Sequence, residues 1–170
     1  RGEVTQPKEE VRPGVFPLFG DEPWQFDLPE VHDESARRAA LAEWIVRKDH
    51  PLTWRTIANR IWQWHFGEPI VGSPNDFGPL GREPTHPELL DWLALSFRDS
   101  GGSFKKLHKL IVMSATYRQS SHGNEAKAKV DSSNQFLWRM NRRKLSAEEI
   151  RDSVLAVSGK LNLEMGGPGY

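Results

Sequence analysis

TWRTIANRIWQWHFGEPIVGSPNDFGPLG (residues 53–81) joins an aromatic-rich helical pattern to a loop punctuated by glycine and proline. In its first half Trp54, Ile57, Ala58, Ile61, Trp62, His65 and Phe66 recur at spacings of three and four, while Arg55, Asn59, Arg60 and Gln63 fall on the other side. The pattern predicts a helix with a wide buried face. Gly67 is its natural stop, because a residue just past a helix end often takes positive φ, which only glycine adopts without steric cost. From there to Pro84 glycine and proline occur eight times, so the segment reads as an irregular loop. Loops of that length without secondary structure are uncommon in a compact domain and often functional. Ile70, Val71, Phe77 and Leu80 are the residues available to pin it down.

Upstream, residues 1–30 contain five prolines and no sustained period, which excludes a helix and predicts an extended arm or linker. Val15, Phe16, Leu18, Phe19, Trp24 and Phe26 would dock such an arm onto the domain. A first helix is expected over residues 33–47, capped by Ser35, with Ala36, Ala39, Ala40, Trp44 and Ile45 as its stripe. Downstream, Thr85-His86-Pro87-Glu88 reads as a capping box with proline in the first turn. It opens a helix whose apolar arc is Leu89, Leu90, Trp92, Leu93 and Phe97, ended by Gly101-Gly102. Ser103 then caps a helix facing inward through Phe104, Leu107, His108, Ile111, Val112 and Ala115. So short a link predicts an antiparallel helical hairpin. Residues 122–134 read as a weakly patterned connection. A second capping box, Ser146-Ala147-Glu148-Glu149, leads into a last amphipathic helix carrying Ile150, Val154, Val157 and Leu161, with Gly159 at its end.

Composition narrows the function classes. Lys plus Arg and Asp plus Glu balance at 23 each, so no global field attracts nucleic acid or an anionic membrane. The absence of cysteine excludes disulfides, thiolate metal sites, a cysteine nucleophile and Cys-x-x-Cys-His haem attachment. No apolar run approaches the roughly 20 residues that span a bilayer. The chain begins at Arg1, as a piece of something longer would.

The motifs are weak. Asp76-Phe77-Gly78 matches a kinase magnesium triplet but lacks the surrounding glycine-rich loop, strand lysine and catalytic loop, so turn formation explains it better. His65 and His108 lie on apolar helix faces, where a hydrogen-bonded core histidine is the plainer reading and a shared metal ion the sharper one. His86 falls in a first helical turn, and His32, His50 and His122 in linkers. Tyr117 and Arg118, with Asn141 and Arg142, belong to the densest polar segments, which either bind an anion or brace helix ends by pairing with Asp91, Glu148 or Asp152.

Seven ordered stretches also carry a resemblance: residues 37–44, Asn59-Arg60-Ile61-Trp62, Phe66-Gly67, Asp76-Phe77-Gly78, residues 86–93, residues 114–121 and Trp138-Arg139-Met140-Asn141-Arg142-Arg143. Together they resemble a domain family of unknown function, abundant in planctomycetes and related bacteria, found in large proteins that also carry a cytochrome-c-like domain. The resemblance covers residues 30 to 168. It implies the C-terminal portion of an exported multidomain protein, extracytoplasmic (periplasmic or extracellular), with any haem in the companion domain and none here. It implies no catalytic residue. The ending in Gly166-Gly167-Pro168-Gly169-Tyr170 resembles the middle of the family's region, so the domain would be truncated.

The expectation is therefore an all-α domain of five or six helices in an irregular bundle over residues 31–170, with an extended Pro-rich arm and a long Gly/Pro loop. Its first functional reading is a non-catalytic structural or interaction module contacting other domains of the same parent protein. The alternative is an enzyme or substrate-binding domain acting on carbohydrate, with Asp76, His86, Arg118 and Arg142 in one pocket and Trp62, Trp64 or Trp92 stacking on sugar. Binding candidates are Asp76, His86, Tyr117, Arg118, Asn141 and Arg142; no metal or cofactor is expected in this domain.

Overall fold

The longest helix, Pro51–Phe66, collects two others, Pro87–Asp99 and Phe104–Val112, around its apolar face. A computed structural model describes residues 5, 6, 8, 11–15, 24–28, 30 and 33–166. Among them run two short strands, β1 (Gly14–Val15) and β2 (Trp24–Gln25), and six helices: α1 (Glu34–Ile45), α2 (Pro51–Phe66), α3 (Pro87–Asp99), α4 (Phe104–Val112), α5 (Glu125–Val130) and α6 (Ala147–Val157). The domain is all-α.

The core is where α2, α3 and α4 pack against one another. Ala58, Ile61, Trp62 and Phe66 come from α2, Leu90, Leu93, Ala94 and Phe97 from α3, and Leu107 and Ile111 from α4. Each set repeats at three, four or seven, so each helix turns one stripe inward. A fully buried aliphatic or phenyl side chain of this kind contributes about 1.5–3 kcal/mol. Ile70 and Val71 complete the cluster from the loop after α2, so that loop is part of the core. Arg55 on α2 also reaches Asp91 on α3 at 2.6 Å.

Gly67 ends α2 at φ 86°, as expected. α3 and α4 form the expected hairpin, its turn closed by Gly101 N–H donating to the Arg98 carbonyl and Gly102 N–H to that of Phe97. The capping box of α6 is present, with Ser146 and Glu149 each bonding the other's backbone N–H.

Several local expectations are corrected. Asp33, and not Ser35, caps α1, because its carboxylate reaches the backbone N–H of both Ser35 and Ala36. The α1 stripe buries no residue. Asn59 is fully buried rather than on a solvated side. The proposed capping box at Thr85 is absent: His86 is the cap residue and its side chain bonds no backbone N–H of the helix, since Thr85 is turned back to the Ile70 carbonyl. His50, read as a linker residue, caps α2 by accepting the Thr53 N–H on Nδ1 at 3.1 Å. Residues 122–134 contain α5, whose cap is the Asn124 side chain.

In the N-terminal region β1 and β2 pair antiparallel, Gly14 opposite Gln25 and Val15 opposite Trp24. The docking expected of Phe16, Leu18 and Phe19 lies outside the described residues. α6 buries no residue, and its Ile150, Val154 and Val157 remain exposed.

Candidate functional site

The loop over residues 67–85 is irregular in backbone and fixed in position. The Asn59 amide lies beneath it, donating Nδ2–H to the Val71 carbonyl at 3.2 Å and accepting the Val71 N–H at 2.9 Å. Val71 bridges to Pro84, and the Ile70 carbonyl accepts the Thr85 N–H at 2.9 Å, so the loop is closed at its neck. At its tip Asp76 accepts the Gly78 N–H at 2.8 Å, while Ser73 donates to the Asp76 carbonyl and accepts from the Arg82 N–H.

A second irregular segment, residues 131–141, faces the end of α2. The Asp131 carboxylate accepts the backbone N–H groups of Gln135 and Phe136 and the Ser133 hydroxyl. These bonds, that of Phe136 foremost, hold its carboxyl below the usual aspartate range. Buried Asn134, at φ 57°, donates to the Arg139 carbonyl and to Asn141 Oδ1, both at 2.8 Å. Asn141 passes the connection on, donating to the Phe66 carbonyl at 2.9 Å. An otherwise open carbonyl at the helix end is thereby satisfied. Leu137 is held at φ 53°, a conformation rare for a bulky residue, while its carbonyl accepts from Gln119 at 2.8 Å.

Between loop and segment open two cavities of about 580 Å³ and 430 Å³ that share Glu68 and Ser133 as walls. The larger is lined by Arg139, Asn141, Arg142 and Arg143, the smaller by Arg82, Glu83, His86 and Gln135. Together they form one polar cleft at the C-terminal end of α2. The arginines also brace: Arg142 donates Nε–H to the Ser121 carbonyl at 3.3 Å, and Arg143 bonds the Trp64 carbonyl and Glu149. The acid that pairs is thus Glu149, while Asp91 belongs to Arg55.

Of the residues singled out in the sequence, Asn141, Arg142, His86 and Trp62 line the cleft. Asn141 spends both ends of its amide on structure. His86 is held by Thr85 at 2.9 Å and meets Phe136 edge-on. Asp76 turns its own loop, Arg118 is exposed, and Tyr117 packs edge-on against His65 and Phe66; none of the three lines either cavity. The four-residue pocket of the carbohydrate reading thus reduces to His86 and Arg142. Trp62 is buried and stacked on Phe66, so its face is occupied. Trp64 is exposed, and Trp92 lines a separate apolar groove with Leu110 and Met113. Arg143 belongs to the polar segment of Asn141 and Arg142 that the sequence singled out, whereas Arg139, Glu68 and Ser133 were not; Arg139, three residues before Arg142, was the available signal.

His65 and His108 meet directly, Nε2 to Nδ1 at 2.7 Å, so one ring donates to the other. Burial, then the neighbouring His108 and Arg143, lower the pKa of His65. Among the described residues no group of three or more His, Asp or Glu is placed to hold a metal ion. No helix among them is long and apolar enough to cross a membrane.

Fold and cleft together define an all-α domain whose polar depression is built from two hydrogen-bonded loops at one helix end. A family model described as "Protein of unknown function (DUF1553)", PSD1, matches residues 37–170, and the chain belongs to that family. No curated protein and no solved structure matches it.

Proposed function

We propose that this domain is a non-catalytic interaction module, docking other domains of its parent protein through the cleft at the end of α2. The observation that carries this reading is the pinning of both irregular segments: Asn59 and Thr85 fix one, Asn134 and Asn141 the other. Loops of fixed shape on rigid helices are a common way to build a recognition surface. The parent is read as an exported, cytochrome-associated protein of planctomycete type, extracytoplasmic, with any haem in a companion domain. This part of the proposal is supported by the resemblance of the seven motifs. The test is calorimetric titration of the purified domain with the remainder of the parent supplied as a separate chain. Saturable binding weakened by substitution of Arg142 is the expected result. A folded domain that binds nothing overturns the reading.

A second reading, a pocket for carbohydrate, is favoured by the cavity beside His86 and Gln135 in the expected place near the loop. Titration with a panel of neutral oligosaccharides tests it, and the absence of saturable heat would end it.

A further inference from the structure

We infer that the cleft recognises carboxylates, and that what docks there is an extended acidic peptide segment of the partner domain. The inference rests on the docking reading and supplies the chemistry which that reading leaves open.

The chain as a whole is neutral, with 23 basic and 23 acidic side chains. The wall of the larger cavity is not: Arg139, Arg142 and Arg143 face Glu68 as its only acid. Arg143 is engaged, bonding the Trp64 carbonyl and the Glu149 carboxylate, both at 3.0 Å. Arg142 gives only Nε–H to the Ser121 carbonyl, and Arg139 only one terminal N–H to the Met140 carbonyl at 3.4 Å. Neither belongs to an ion pair among the described residues. Two guanidinium groups therefore keep N–H donors with no acceptor among the described residues.

Their carbonyl bonds, and the position of Arg139 over the Trp138 ring at 5.2 Å, restrict how those forks can turn. A preorganised fork matches the two oxygens of a carboxylate and loses less entropy on binding than a free lysine would. The cavity of about 580 Å³ lies within the range of about 300–1,000 Å³ typical of ligand sites. Gly123 stands on the same wall, where a Cβ would meet nothing within 4 Å, so a peptide backbone can approach closely.

The continuation of the cleft selects the shape of the occupant. The second cavity adjoins the first through Glu68 and Ser133 and carries Glu83, Gln135 and His86. A compact anion would fill only the arginine end. An extended peptide would place its acids there, where three arginines outnumber Glu68, and neutral polar residues beyond, where Glu68 and Glu83 outnumber Arg82.

The test uses the full chain and two labelled probes, a hexaglutamate and a hexaglutamine peptide, followed by fluorescence anisotropy at 50 mM and 200 mM salt. Saturable binding of hexaglutamate, weaker at the higher salt, is expected, with none for hexaglutamine. Arg142→Ala and Arg139→Ala should each weaken binding about tenfold, the scale of one lost charge-assisted bond. Gly123→Phe removes no hydrogen bond and fills the open wall, so it should block binding even if an arginine variant fails to fold. Hexaglutamate binding equally well to all the folded variants would place it elsewhere and overturn the inference. If hexaglutamate does not bind while the remainder of the parent does, docking stands and the carboxylate chemistry falls. If neither binds, both fall.

Discussion

Asn59 and Val71 hold each other by two hydrogen bonds, side-chain amide to backbone peptide, in a place where neither residue reaches solvent. The pair works as one rung of a sheet ladder laid between a helix and a loop. Replacing Asn59 with alanine leaves a buried N–H and a buried C=O unpaired, at a cost of about 2–4 kcal/mol. Asn59→Asp should cost more, because it restores one acceptor, no donor and a buried charge. Urea denaturation measures both; a loss below about 0.5 kcal/mol for Asn59→Ala would show that water takes over the amide's role.

Gly81 sits so close to the loop tip that a Cβ there would lie 2.3 Å from the Asp76 carbonyl oxygen. Gly81→Ala must therefore displace backbone, and should destabilise by about 1–3 kcal/mol. Gly123→Ala is the matched control, since its Cβ meets open space. Equal melting temperatures for the two variants would contradict the close approach.

Acid should loosen the domain through histidine. Burial, opposed by Asp49 and assisted by Arg47, holds His50 below its ordinary value of 6.5, and burial also lowers His65. The unfolded chain then binds these protons at a higher pH than the folded one. Their contribution is whole above about pH 6.5 and declines as pH falls through that value toward the lower folded pKa. His50→Asn keeps a cap-forming side chain and cannot titrate, so its stability between pH 7 and 5 should fall less steeply than that of the unaltered chain. Parallel curves would exclude His50 as a source.

Charge and packing contribute unequally between α2 and α3. The Arg55 and Asp91 side chains are 36% and 50% exposed, so solvent screens their contact. Asp91→Asn should cost no more than about 1 kcal/mol. Leu93, 1% exposed on the same helix, should cost about 2–5 kcal/mol as alanine. Denaturation midpoints that reversed this order would place the helix contact in the ion pair.

The three core helices were legible because apolar spacing reports which side of a helix is covered, and α6 because its capping box and apolar spacing mark a helix even where its apolar side stays exposed. Asn59 was not, since its burial depends on a loop that returns over the helix from twelve residues away. Asp33 caps where Ser35 was expected, and His50 caps a helix for which it read as linker, because the side chain that reaches a free N–H depends on how the chain enters the turn. The hydrogen-bonded turn from Asp131 through Asn134 fell at the end of a stretch that read as a weakly patterned connection: its Asp and Asn side chains bond nearby backbone, which leaves no period. Arg142 was visible in its basic run. The opposite wall at Glu68 needed the fold to bring it there.

The pair of hydrogen bonds between Asn59 and Val71 also bears on timing. A loop already locked in shape does not have to order itself when a partner arrives, so encounter is governed by diffusion and orientation. Partners of different fit would then arrive at similar rates and differ chiefly in how long they stay.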